Sequence, residues 1–115
     1  MKYIIAIIQP ERLAEVQSAL YAADVNLITV SEVLGHGRQK GVTEVYRAYK
    51  ESGNLLRKIK IEIAVNENFV DAAVNAIATG ARSEHGEIGD GKIFVLDLQE
   101  TVRIRTGEHG SEAIG

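Results

Sequence analysis

The sequence predicts one α+β domain, a ferredoxin-like sandwich whose two βαβ halves share an antiparallel sheet in the order βαββαβ. Three observations carry that expectation. Residues 58–65 alternate apolar against polar with a period of two, as a half-buried antiparallel strand does. Two other stretches, Leu13–Ala23 and Val70–Ile77, repeat their apolar residues at helical spacing. Each of these is flanked by short β-branched runs, so a strand–helix–strand order occurs twice. At 115 residues the chain fits one compact domain, 1–115, with little length left for a second.

Tyr3–Ile8 is a short, β-branched, almost continuously apolar run, the mark of a strand covered on both faces. Pro10 suits the first turn of a helix, where its missing N–H has no partner to lose. Leu13, Val16, Leu20 and Ala23 make the apolar stripe of that helix, with Glu11, Glu15 and Gln17 off the stripe. A second strand is expected from about Val25 to Leu34, ending at Gly35-His-Gly37. From Arg38 to about Leu56 the chain is polar and aperiodic; a loop of that length inside a compact domain is usually functional or disordered.

Lys58–Val65 places Ile59, Ile61, Ile63 and Val65 on one face, and Lys58, Lys60 and Glu62 on the other. Asn66 or Asn68 is expected to cap the second helix, whose stripe of Val70, Ala73, Val74 and Ile77 ends at Gly80. Ile93–Leu98 reads as a further strand. Val102–Thr106 alternates again and, as an extra short strand, would set Arg103 and Arg105 side by side on one face. The tail from Gly107 is small and polar and is expected to be loose.

Bulk chemistry narrows the function. A formal charge of −3 argues against a general nucleic-acid or anionic-membrane surface, so local basic clusters matter more than the total. The absence of Cys excludes disulfides and thiolate chemistry and is compatible with a reducing cytoplasm. Tyr3–Ile8 is too short to span a bilayer, and it starts too near Met1 for a signal peptide. A cytoplasmic location is the expectation.

The strongest chemical signal is Gly86-Glu-Ile-Gly-Asp-Gly-Lys-Ile-Phe-Val95, a glycine-rich loop running into an apolar strand. Three glycines in six residues let the backbone approach a ligand closely, and several N–H groups can then converge on one anion. Lys92 adds a positive charge at the edge. Gly86, Gly91 and Lys92 have the spacing of a Walker A loop, but Ile93 stands where Mg²⁺ binding needs Ser or Thr, and a strand follows where a helix should. Arg103 and Arg105 are the second signal, a pair suited to oligophosphate or carboxylate and equally compatible with a solvated strand face. Gly35-His-Gly-Arg-Gln-Lys-Gly41 is a second basic, glycine-rich turn without the spacing of a dinucleotide fingerprint. Asp90, between glycines, suits a turn as readily as a cation. His36, His85 and His109 lack ligand spacing, and no Ser sits in a nucleophile elbow.

These residues together resemble the PII signal-transduction proteins over nearly the whole chain. The stretches that carry the likeness are Gly35–Gly41 with Thr43-Glu-Val-Tyr-Arg47, then Ile88-Gly-Asp-Gly-Lys-Ile-Phe-Val95, then Val102-Arg-Ile-Arg-Thr-Gly-Glu108. The resemblance implies a ferredoxin-like homotrimer that binds ATP or ADP, with AMP also open, in clefts between subunits. It also implies 2-oxoglutarate bound beside Mg-ATP, and partners regulated through a long T-loop at about 37–56. Carried over by position, the B-loop at about 82–92 supplies Ile88, Gly89, Asp90, Gly91 and Lys92 around the phosphates. Arg103 and Arg105, in the C-terminal segment 101–115, match the arginines that reach those phosphates from a neighbouring subunit. Ile7 and Ala64 match apolar contacts to the base, and Thr29 a polar contact near it. Gly37 and Arg38 match the base of the T-loop, Gln39 the residue that approaches Mg²⁺ and 2-oxoglutarate, and Lys58 the oxoglutarate carboxylate contact.

Three departures from the family pattern stand out. Glu51 replaces the tyrosine that enterobacterial-type members uridylylate, which excludes that control here. The outer loop Ala48–Asn54 differs from the common pattern, although Arg47, which in relatives enters an ammonium transporter's pore, is present. Ser83-Glu-His-Gly-Glu87 is about two residues longer than its counterpart and carries Glu87 where a base is usual, a change worth ~1 kcal/mol against a bound phosphate.

The implied function is a sensor of ATP/ADP and 2-oxoglutarate, not an enzyme, acting on nitrogen-related partners. Those partners are an ammonium transporter, a metabolic enzyme or another transporter, with no nucleic acid and with membrane contact only through a transporter. A small ATPase or phosphotransferase using the same loop is the alternative, and a docking module with a vestigial nucleotide site the third reading. Neither a positioned general base nor a metal-binding hydroxyl supports the enzyme.

Overall fold

The structure, a computed structural model, describes residues 1–36 and 55–115. Its elements run β1 (Lys2–Ile8), α1 (Leu13–Ala22), β2 (Thr29–Gly35), β3 (Leu56–Val65), α2 (Val70–Ala81) and β4 (Gly91–Asp97). The sheet order is β2-β3-β1-β4, with every neighbouring pair antiparallel. This is the expected ferredoxin-like βαββαβ architecture, with the first strand at the centre of the sheet beside β3.

The period of two divides the sheet into a core face and a helix-free face. Ile4, Ala6 and Ile8 of β1 and Ile59, Ile61, Ile63 and Val65 of β3 are buried with Val16, Leu20, Ala73 and Ile77 of the helices in one core. Burying each such Ile, Leu or Val contributes about 1.5–3 kcal/mol, which holds both helices against the sheet. Tyr3, Ile5 and Ile7, Lys58, Lys60, Glu62 and Ala64, and Lys92, Phe94 and Leu96 alternate with these and share the other face.

Several boundaries differ from the sequence reading. The chain leaves α1 through Asp24 at φ 61°, with Asp24 N donating to Tyr21 O at 3.0 Å and Val25 N to Leu20 O at 2.9 Å. These bonds satisfy carbonyls at the end of the helix and commit Val25 to the core. β2 therefore begins at Thr29 and not at Val25. Residues 67–69 form a 3-10 turn before α2, and no side chain caps either start; Asn66 Nδ2 donates instead to Ser111 O at 3.1 Å. Gly80 does not stop α2, which runs on to Ala81; it lies buried against α1, and Arg12 Nε donates to its carbonyl at 3.0 Å.

The segment after β4 also departs from expectation. Val102–Thr106 is not a strand: Val102 bridges His109, and Arg103 N donates to Glu108 O at 2.9 Å while Gly107 N donates back to Arg103 O at 2.8 Å. Gly107, at φ 73°, permits that reversal. The tail is not loose, because Gly110–Ala113 forms a 3-10 turn with Ala113 buried. No described helix is long and apolar enough to cross a membrane.

Candidate functional site

On the helix-free face, at the β4 start, a recess of about 460 Å³ is lined by Ile7, His36, Lys58, Ile88, Gly89, Gly91, Lys92 and Phe94. Strand register assembles it: Ile7 of β1 stands opposite Lys92 of β4, and Lys58 enters β3 opposite Val33. Six of the residues expected to bind the ligand, Ile7, Lys58, Ile88, Gly89, Gly91 and Lys92, are thus brought around one cavity.

Lys58 is the unusual member. It is only 6% exposed, and its Nζ is buried without a hydrogen-bond partner among the described residues. Burial pushes its ammonium below the ordinary 10.5, and the Glu11 charge opposes that only in part. An ammonium so deprived of water and of a close counter-ion gains from any anion that enters the recess.

The loop before β4 is organised by Asp90. Its Oδ2 accepts from Ser83 N at 3.0 Å, Ser83 Oγ at 3.0 Å and Glu87 N at 3.1 Å. Glu87 N also donates to Ser83 Oγ at 2.9 Å. The carboxylate thereby ties together the approach to the loop across residues 83–87. At Gly91, φ is 121° and a Cβ would fall 1.9 Å from Ile7 O, so glycine alone lets the loop lie against β1. Lys92 follows at once, exposed and without a partner among the described residues.

The two arginines are not equivalent. Arg103 Nη1 pairs with Glu108 Oε1 at 2.5 Å, while Nη2 donates to Glu112 O at 2.8 Å and Gly115 O at 2.7 Å. The Thr106 hydroxyl, then Arg103, holds the Glu108 carboxyl below its ordinary value. Arg105 is exposed on the turn and has no partner among the described residues. The two guanidinium groups therefore do not form the side-by-side pair expected of a strand.

Thr29 and Ala64 lie outside this recess. Thr29 is the exposed first residue of β2, opposite Glu62. Ala64 lines a smaller recess of about 180 Å³ with Asn26, Leu27, Asn66 and Phe69 among others. Six residues of β3, roughly 20 Å, separate Ala64 from Lys58, so a ligand touching both must be elongated. Between them Glu62 accepts a short hydrogen bond from the Tyr3 hydroxyl and lies 3.6 Å from Lys60 Nζ. The Tyr3 hydroxyl first, and Lys60 to a lesser extent, keep the Glu62 carboxyl below its ordinary value.

Gly37, Arg38 and Gln39 lie outside the described residues, as does the loop tip with Arg47 and Glu51. Two lining residues escaped the sequence reading. Phe94 follows from Lys92 by the strand period, and His36 adjoins the glycine turn already singled out. Among the described residues no three His, Asp or Glu side chains converge as a metal cage.

Comparison with known proteins agrees with this architecture. The profile of the family described as "Nitrogen regulatory protein P-II" matches residues 1–108. The chain is 54% identical over 114 residues to nitrogen regulatory protein GlnK1 of Methanosarcina mazei, covering 99% of this chain and 97% of that protein. It is likewise 54% identical to nitrogen regulatory protein P-II of Rhizobium etli, covering 99% and 100%. Among solved structures, Arabidopsis thaliana PII bound to citrate superposes with a TM-score of 0.78 at 37% identity, covering 98% of this chain and 88% of that one. These relatives are named as regulators, and the chain is a regulatory protein and not an enzyme. With a family match across all of its sheet and both helices, the chain belongs to the P-II nitrogen regulatory protein family.

Proposed function

We propose that this protein senses ATP and ADP, with AMP the third candidate, together with 2-oxoglutarate, and passes their occupancy to partner proteins. The observation that carries the reading is Lys58, a buried ammonium with no hydrogen-bond partner among the described residues, facing a recess whose rim is a glycine loop and Lys92. The phosphates would lie along Ile88–Lys92, where the Gly91 backbone can approach without a side chain in the way. The base would run toward Thr29 and Ala64, with Ile7 beneath it. The distal carboxylate of 2-oxoglutarate would pair with Lys58, a compact charge suited to a single carboxylate. Citrate on the Arabidopsis relative supports a family site that accepts carboxylates.

Mg²⁺ fits this arrangement as a companion of the ligands. It favours oxygen donors and usually keeps few protein ligands, so phosphates, the keto acid and Gln39 would supply its shell. The residues also fit a homotrimer in which a neighbouring copy contributes to each site. Phe94 and Leu96 stand 48% and 46% exposed on the helix-free face, and Ile104 is 99% exposed beside Arg105, an arrangement that leaves apolar surface for other copies. Residues 37–56 would be the partner-facing T-loop, 82–92 the B-loop and 101–115 the arginine-bearing segment of one 1–115 domain. The partners would be nitrogen-related: an ammonium transporter, a metabolic enzyme or another transporter, met from the cytoplasm. Occupancy would act by shifting the population of T-loop conformations, and two ligands sharing one metal would favour each other's binding.

Calorimetry tests the reading with ATP, ADP and AMP, and then with 2-oxoglutarate with and without Mg-ATP. The expected result is nucleotide binding, with oxoglutarate heat only when Mg-ATP is present. Oxoglutarate heat in the absence of nucleotide would remove the shared-metal arrangement. No heat with any nucleotide would remove the sensor function altogether.

A further inference from the structure

Lys58 and the loop before β4 line one recess, and they bring together a buried amine and a cradle for an anion. The recess, about 460 Å³, has the size of a small-ligand site. Lys58 Nζ is buried and unpartnered among the described residues. Desolvation lowers the basicity of its ammonium, which is the condition that turns a lysine amine into a nucleophile near neutral pH. The other described lysines stand differently. Lys2 is paired with Asp97, Lys60 lies 3.6 Å from Glu62 Oε1, and Lys92 is exposed. At the opposite wall Gly89 and Gly91, with φ of 97° and 121°, bring bare backbone to the cavity beside Lys92. Ile7 stands opposite Lys60 of β3 on one side and Lys92 of β4 on the other. Lys58 and Lys92 are therefore two strands apart and two residues out of line, roughly 12 Å between their Cα atoms. Two lysine stems reach across much of that gap, so a ligand joining them is short.

We infer that this recess binds a small phosphorylated aldehyde covalently: Lys58 Nζ forms an imine with the carbonyl carbon, while the glycine loop and Lys92 hold the phosphate. The neutral amine attacks the carbonyl carbon, a C–N bond forms, and one amine proton passes to the carbonyl oxygen to give a carbinolamine. The C–O bond then breaks, the second amine proton leaves with the hydroxyl as water, and a C=N bond remains. No oxidant or reductant enters. A turn of the flexible four-carbon stem brings Nζ to the carbonyl. The product replaces a buried ammonium by an imine nitrogen that need carry no charge, which relieves the cost of an unpaired charge away from water. Ile7 and Phe94 supply apolar walls for an aromatic ring. This goes beyond the sensing of nucleotide and oxoglutarate and requires neither, because there Lys58 acts as a charge and here as a nucleophile.

Pyridoxal phosphate is the probe, and pyridoxal, which has the aldehyde without the phosphate, is its counterpart. The full chain at neutral pH is mixed with an equimolar amount of either compound, with no nucleotide added. Borohydride then donates hydride to the C=N bond and fixes the adduct, and peptide mass mapping locates it. The expected result is label concentrated on Lys58, with Lys2 and Lys60 largely spared. Pyridoxal should label Lys58 about tenfold less, the loss expected for one charge-assisted contact. Lys92→Gln should bring labelling of Lys58 by pyridoxal phosphate down toward the pyridoxal level. Lys58→Arg, which keeps the charge, should remove most of the label and the visible imine band. Thermal melts show that each variant is folded, and the wild-type map decides the matter if one is not. Label spread over the lysines in order of their exposure, or carried mainly by Lys92, overturns the imine at Lys58. Equal labelling of Lys58 by the two aldehydes overturns the phosphate assignment. Since no nucleotide is present, these outcomes are read separately from success or failure of nucleotide sensing.

Discussion

Gly80 of α2 lies so close to Val16 of α1 that a Cβ built on it would sit 2.8 Å from the Val16 Cα. In an exposed helix interior, Gly→Ala is stabilising by about 1 kcal/mol. Here the added methyl meets backbone, which cannot rotate aside, and overpacking of that kind costs about 1–3 kcal/mol. Gly80→Ala is therefore expected to lower stability by about 1–2 kcal/mol in urea unfolding, and a stabilised variant would contradict the close contact.

Gly91 and Gly107 should respond very differently to the same substitution. Gly91→Ala drives a Cβ to 1.9 Å from Ile7 O at φ 121°, so β1 and β4 must separate where the recess begins. A loss of about 3 kcal/mol or more is expected, together with loss of ligand binding. Gly107, at φ 73°, has nothing within 4 Å of an added Cβ, leaving only left-handed backbone strain of about 1 kcal/mol. Thermal melts of the two variants compare them directly; equal losses would mean the Gly91 contact is absent.

Asp90 makes a prediction about loop order. Removing its carboxylate leaves Ser83 N, Ser83 Oγ and Glu87 N short of their shared acceptor. Asp90→Ala should cost about 1–3 kcal/mol locally and speed amide exchange over residues 83–91, with less change in the helices. Unchanged exchange at Ser83 and Glu87 would show that the loop is held by something else.

Lys58 sets a pH dependence whose sign follows from its lowered folded-state value. Between that value and the ordinary 10.5, the unfolded chain holds a proton that the folded one has released, so stability from this group rises with pH across the window. Below the window the full deficit persists. Lys58→Met should therefore be more stable than wild type at pH 7, by about 1–3 kcal/mol for one buried unpaired charge, and the difference should shrink toward pH 10.5. Parallel wild-type and variant curves in chemical denaturation would contradict the burial. The same variant should lose 2-oxoglutarate binding.

The sheet and both helices were legible in the sequence because their information is local. Ile59, Ile61, Ile63 and Val65 state their own period, and Leu13, Val16 and Leu20 state theirs. The glycine loop was legible as chemistry for the same reason, whereas Lys58 read locally only as the polar face of its strand and gained a role through the family resemblance. What escaped depends on partners distant in the chain. Asn66 resembles a cap in its local context, yet its amide is drawn to Ser111. Gly80 resembles a helix stop until α1 is laid across it. Arg103 and Arg105 alternate as strand residues do, but the Glu108 pairing and Gly107 turn that segment back on itself. Alternation fixes a face only after the backbone is extended, and here it is not.

The central position of β1 has a kinetic consequence. β1 is paired on both edges by strands that follow much later in the chain; Lys2 meets Asp97 at a sequence separation of 95. Local helices can form during synthesis, but the sheet cannot close until β4 has emerged, so assembly is a late, long-range event with slow kinetics for a domain of this size. Until then the apolar run Tyr3–Ile8 has at most one of its two edges paired, by β3. Among the segments of this chain, that run is where nascent protein is most exposed to mispairing, and where an early chaperone contact would be most useful.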